Sequence, residues 1–198
     1  MEVIAKNEQY ILVWDKINDL TYYRTHLPET FFLQAQSSFK SHQRQREWLH
    51  THLLIHSLTG IYQSYRFNEW HKPFCSETKH ILSITHTEQY IALMLMNSGR
   101  GGVDMEETSR LFTKTAHKFV HANEKKWAHE NGDYRKIWCF KEAVYKLITD
   151  ASADFKTHYI CSFNNDKANV MYLPTSHQIK MEYVENENYF LTWCFEKE

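Results

Sequence analysis

Apolar and polar residues alternate with two different periods along this chain. Tyr10–Trp14 reads as an early strand. From Glu29 to Leu58 the apolar positions, among them Trp48, Leu49, Leu53, Leu54 and Leu58, recur near helical spacing and predict a helix. Short extended pieces follow at Ile61–Phe67, Ile81–Ile84 and Tyr90–Met96. The cluster Gly99-Arg-Gly-Gly102 then marks a turn and a boundary. Beyond it Val103–Glu106 reads as a strand. Arg110–Glu130 reads as a helix with Leu111, Ala116, Phe119 and Trp127 inward, and Arg135–Ile148 as a second helix. Strand signals follow at Tyr159–Phe163, Val170–Leu173, Ile179–Val184 and Tyr189–Phe195, the last two forming a hairpin about Glu185–Asn188.

Each half therefore runs strand, helices, antiparallel strands. Helices grouped before strands indicate an α+β fold rather than an alternating α/β one. The expected domains are an N-terminal half, 1–98, and a C-terminal half, 99–198.

Composition narrows the function classes. With 42% hydrophobic residues and only 5 Gly and 3 Pro, the chain can bury a substantial core. A formal net charge of −1 argues against nucleic acid as a partner. No basic start precedes an apolar run, and Tyr90–Met96 is far too short to span a bilayer, so neither export nor a membrane partner is expected. The widely spaced Cys75, Cys139, Cys161 and Cys194 form no CxxC pair and read as buried thiols of a cytoplasmic protein. His52/His56 and His117/His121 stand four residues apart, but with no HExxH and no third ligand they read as solvated helix faces.

Two segments concentrate chemistry. In Gly101-Gly-Val-Asp-Met-Glu106, strand alternation projects Asp104 and Glu106 to one side. Taken alone, the pair also suits a solvated strand end. In Trp138-Cys-Phe-Lys-Glu-Ala-Val-Tyr-Lys146, helical spacing puts Glu142 and Lys146 on one face with Lys141 beside it. Taken alone, that is an ordinary surface pair. Together, three carboxylates and two lysines suit a hard divalent cation bridging phosphate oxygens.

The two segments, in this order, resemble the signature pair of the 4′-phosphopantetheinyl transferase superfamily. His71-Lys-Pro73 is similar to the Gly-Lys-Pro segment of its longer, surfactin-synthetase-type members, with His in place of Gly. Ser83-Ile-Thr-His-Thr87 is similar to their Ser-His-Ser segment, and Arg44-Gln-Arg-Glu-Trp-Leu49 to their basic helix. Phe119-Val-His-Ala-Asn-Glu124 is similar to their Phe-x-x-x-x-Glu.

The resemblance implies two pseudo-symmetric halves, each a long helix on a small antiparallel sheet, with the active site in the cleft between them. It implies transfer of the phosphopantetheine arm of coenzyme A to a serine of an apo acyl or peptidyl carrier protein. Asp104, Glu106 and Glu142 would hold Mg²⁺, which Mn²⁺ can replace. Lys146 would meet the diphosphate, with Lys141 beside it. Arg46, Lys72, Pro73, Thr85 and His86 would contact coenzyme A. Glu124 is the candidate general base, with Glu142 or a metal-bound water as alternatives. Two halves in one chain point to a monomer. The competing readings are another magnesium-dependent phosphoryl or nucleotide enzyme, and a coenzyme A- or carrier-binding relic without activity.

Overall fold

In the computed structural model, which describes residues 1–164 and 167–197, the chain divides into two compact units, Met1–Ser98 and Gly99–Glu198. The N-terminal unit begins with β1 (Glu2–Lys6) and β2 (Tyr10–Lys16). Three helices follow: α1 (Leu20–His26), α2 (Glu29–Ser38) and α3 (His42–Thr59). It closes with β3 (Tyr65–Phe67), β4 (Pro73–Cys75), β5 (Ile81–His86) and β6 (Tyr90–Met96). Its antiparallel sheet has the order β1-β2-β6-β5-β4-β3. Leu54 and Ile55 of α3 pack against Val13, Ile91 and Leu93 of that sheet to form the core. A second apolar cluster, built from Tyr23, Phe32, Ala35 and Leu49, ties α1 and α2 to the rest of α3.

The C-terminal unit runs β7 (Arg100–Glu107), α4 (Asn131–Ile148), β8 (Tyr159–Asn164), β9 (Lys167–Tyr172), β10 (His177–Glu185) and β11 (Tyr189–Glu196). Its antiparallel order, β7-β11-β10-β9-β8, puts β7 at an edge with β11 as neighbour. The β7–β11 register pairs Asp104 with Thr192 and Glu106 with Phe190. The inner face of α4, with Ile137, Phe140, Ala143, Val144 and Leu147, is fully buried against this sheet. Among the described residues no helix is long and apolar enough to cross a membrane.

The α+β class and the antiparallel strands agree with the sequence pattern, but the helices depart from it. The helix expected over Glu29–Leu58 is two helices, broken at Phe39 (φ −131°). The Phe39 carbonyl, lost to the helix ladder, accepts from the Gln45 side chain at 2.7 Å. Only Tyr65–Phe67 of the expected Ile61–Phe67 strand is extended, and β1 and α1 had no counterpart in the pattern.

The larger correction is the helix expected over Arg110–Glu130. Residues 108–130 instead form an irregular strap with single 3₁₀ turns at Ala116–Lys118 and Glu124–Lys126. Its backbone is held from outside. Phe112 N donates to Asn131 Oδ1, and Lys141 Nζ donates to Phe119 O. Phe112, Phe119 and Val120 are buried, while Leu111 is 75% exposed. Burial of scattered aromatics has overridden local helical period here.

Candidate active site

The acidic site is built where α4 lies along β7. Gly102 makes this contact possible. A Cβ there would sit 1.8 Å from the Ala143 carbonyl oxygen, so only glycine lets helix and strand approach this closely. One face of α4 carries Trp138, Glu142 and Lys146 at four-residue spacing. β7 offers Asp104 and Glu106 at two-residue spacing. The partners match up in reverse order. Trp138 Nε1 donates to Glu106 Oε1 at 3.1 Å, and Lys146 Nζ donates to Asp104 Oδ1 at 2.8 Å and to Val103 O at 2.9 Å.

These carboxylates act on one another. Burial pushes the Glu142 carboxyl up to about 7, with the negative charges of Asp104 and Glu106 adding to the rise and Lys146 opposing it. Glu106 is raised as well, by burial first and by Asp104 after it, against the hydrogen bond from Arg110. Cys139 lies fully buried beside them. Burial, with the charges of Asp104 and Glu106, holds its thiol well above the ordinary range, so it stays protonated. A group of carboxylates that raise each other's proton affinity is what a divalent cation relieves.

Among the described residues no three or more His, Cys, Asp or Glu side chains form a ready-made metal cage. Asp104 is turned to Lys146, and Glu106 to Arg110 and Trp138. The donor set nevertheless fits magnesium, which takes one or two carboxylates and completes its shell with water and substrate oxygens.

Glu124 and Lys141 are not brought to this group. Both are 0% exposed and form their own ion pair at 2.9 Å. Lys141 Nζ also donates to Phe119 O and Phe155 O, while Glu124 accepts from His121 N and Cys161 N. Every proton of the ammonium and both oxygens of the carboxylate are used. The expected general base and the second expected lysine thus form an enclosed brace across the strap, α4 and β8.

In the N-terminal unit, Arg44 Nη1 lies 2.8 Å from His86 Nε2 and 2.8 Å from Glu47 Oε2, and His86 Nδ1 lies 3.4 Å from Glu47 Oε1. The structure thus groups His86 with Arg44 and Glu47. Arg46 bonds the Gln43 side chain, and its charge acts on Asp19 and Tyr23. Thr85 is buried in β5 next to His86. Pro73 opens β4 opposite Phe67. Lys72 N donates to Asn68 Oδ1, which closes the β3–β4 turn. His71 in that turn has φ +57°, the left-handed conformation that glycine adopts most readily. Its place in the Lys-Pro segment is therefore one where backbone shape calls for glycine.

The model of the 4′-phosphopantetheinyl transferase superfamily matches residues 100–194, from the first residue of β7 into β11. The matched stretch holds Asp104, Glu106, Glu142 and Lys146 and the contact between β7 and α4. A curated relative, the 4′-phosphopantetheinyl transferase gsp of Aneurinibacillus migulanus, is 29% identical over 90 residues. The match covers 42% of this chain and 37% of the relative, so the chain spans little more than a third of that protein's length.

Arg110 and Arg44 escaped the sequence reading. Arg44 could have been found from its i,i+3 spacing to Glu47. Arg110 lies in a segment read as helix, where its i,i+4 spacing to Glu106 across a strand end carried no signal.

Proposed function

We propose that this protein transfers the 4′-phosphopantetheine arm of coenzyme A to a serine hydroxyl of an apo acyl or peptidyl carrier protein, releasing adenosine 3′,5′-bisphosphate. The observation that carries the reading is the reversed match between α4 and β7, which brings Lys146 to Asp104 and Trp138 to Glu106 with Glu142 midway along the helix face. The superfamily match over residues 100–194 supports it.

Asp104, Glu106 and Glu142 would hold magnesium, or manganese in its place. When bound, the metal supplies positive charge at the diphosphate oxygens. Lys146, already tied to Asp104, offers its ammonium to the diphosphate and offsets the charge that grows on the leaving oxygen. The serine oxygen attacks the phosphorus that carries the pantetheine. The bond from that phosphorus to the bridging oxygen breaks, and its electron pair leaves on the 5′-phosphate of the adenosine product. The serine proton needs an acceptor. Glu124 is enclosed by three side-chain hydrogen bonds, so the assignment passes to Glu142, the alternative acceptor on the α4 face.

In the N-terminal unit, Arg44 and His86, with Lys72 and Thr85, are the candidates for the phosphate and nucleotide groups of coenzyme A. An arginine fork beside a histidine suits a phosphate monoester. The proposal keeps a cytoplasmic setting and a monomer as its expectations.

The test is to incubate the protein with coenzyme A, magnesium and a panel of apo carrier proteins, then weigh the carriers. At least one carrier gains the mass of a phosphopantetheine group, and Asp104→Ala or Glu142→Ala abolishes the gain. A panel in which no carrier gains mass overturns the reading.

A further inference from the structure

Arg110 is built into the acidic site more firmly than an exposed surface arginine. Its guanidinium bonds Glu106 Oε1, the oxygen that Trp138 Nε1 also donates to. The guanidinium carbon stands 4.8 Å from the centre of the Phe112 ring and 5.8 Å from that of Trp138. The backbone is pinned too: Arg110 N donates to Glu107 O, and Asn131 Nδ2 at the start of α4 donates to Arg110 O. Stacking on two aromatic faces plus a charge-assisted bond fixes the guanidinium plane where a flexible lysine would wander.

The Glu106 side chain is 10% exposed and that of Arg110 is 52% exposed. Glu106 is a carboxylate taken largely out of water, beside Asp104 and Glu142. Without a partner it would be expensive to ionise. Lys146 answers for Asp104, and Arg110 answers for Glu106.

We propose that Arg110 is an intramolecular counter-cation for Glu106: it occupies one oxygen of this carboxylate in the metal-free protein and thereby weakens binding of a divalent cation until an anionic substrate arrives to share the positive charge. The proposal rests on the metal reading of the acidic group and adds an order of events to it. A guanidinium within contact distance of a carboxylate ligand opposes a bare cation by direct repulsion and by competition for the oxygen. The same guanidinium favours a diphosphate. The acidic group alone would gather metal ions. With Arg110 in place it prefers metal and anion together.

The experiment measures Mn²⁺ binding to the full-length protein, without coenzyme A, from the loss of the free-ion paramagnetic resonance signal. Arg110→Gln binds Mn²⁺ about fivefold tighter than wild type, the scale expected of a half-exposed ion pair. Arg110→Lys falls between them. Arg100→Gln, which breaks a pair with Glu196 outside the acidic site, matches wild type. Raising the salt concentration narrows the gap between Arg110→Gln and wild type. Unchanged or weaker binding in Arg110→Gln overturns the proposal while leaving the metal site standing. If neither wild type nor Arg110→Gln binds Mn²⁺, the acidic metal site itself fails and takes the proposal with it. Circular dichroism of each variant confirms that it is folded.

Discussion

Lys146 on α4 reaches across to β7 and donates both to the Asp104 carboxylate and to the Val103 carbonyl one residue before it. The contact does two things. It places an ammonium at the acidic site, and it ties helix to strand at the end opposite Trp138. Asp104 is only 5% exposed, so removing its partner leaves a buried charge. Lys146→Met is expected to lower stability by about 1–3 kcal/mol and kcat/KM by at least about a hundredfold. Added magnesium should recover more thermal stability in this variant than in wild type, because a cation at Asp104 replaces the lost charge. Melting curves with and without the metal check both parts.

The Glu124–Lys141 pair makes a contrasting prediction. A lysine that contacts substrate is lost with activity but not with fold. An enclosed lysine is lost with fold. Lys141→Met alone should destabilise by about 3–5 kcal/mol, since it strands a buried carboxylate, and Glu124→Leu alone should cost about the same. The double variant, Lys141→Met with Glu124→Leu, should recover a large part of that loss. Denaturant unfolding of the three variants measures the coupling. Additive losses would exclude a brace.

Glu142 gives the protein a pH signature. Its carboxyl is raised by burial to about 7 in the folded state, above the ordinary carboxylate value it returns to on unfolding. In the window between those two values the folded state binds the extra proton. This stabilising contribution is therefore fully present at low pH and is lost as pH rises through about 7. Glu142→Gln should remove this component and leave the metal-free variant more stable than wild type by about 2 kcal/mol at pH 8. Magnesium competes with the same proton, so its stabilisation of wild type should be larger at pH 8 than at pH 6. Melting temperatures at the two pH values, with and without magnesium, show whether the sign is right.

His71 predicts an improvement. A left-handed conformation costs a non-glycine residue about 1–2 kcal/mol. Part of that is returned by the lower entropy of the unfolded chain relative to glycine. His71→Gly should accordingly raise stability by about 0.5 kcal/mol or more, read as a small upward shift of the denaturation midpoint.

Much of the fold and of the acidic group was legible because short-range rules govern them. Strand alternation put Asp104 and Glu106 together, and helical spacing put Glu142 above Lys146. The β10–β11 hairpin was marked by alternation about Glu185–Asn188. What escaped depends on partners far along the chain. Residues 108–130 carry helical spacing, yet backbone groups among them bond Asn131, Lys141 and Asn188. Glu124 and Lys141 sit in motif positions that suggest chemistry, and only burial reveals that every polar atom is spoken for. Arg44 and Arg46 are equivalent in a string of letters. Two residues apart on a helix they face different ways, and only Arg44 meets His86.

The strap over residues 108–130 carries a consequence for the order in which the molecule is made. It has no helical ladder of its own. Glu124 is anchored by Cys161 N, and its partner Lys141 by Phe155 O. Until those later residues have left the ribosome, the segment beside the acidic site is held only by its bonds to α4. A chain halted just after α4 would own every carboxylate of the site and still lack the anchors at Phe155 and Cys161, and the brace would close only once β8 has emerged.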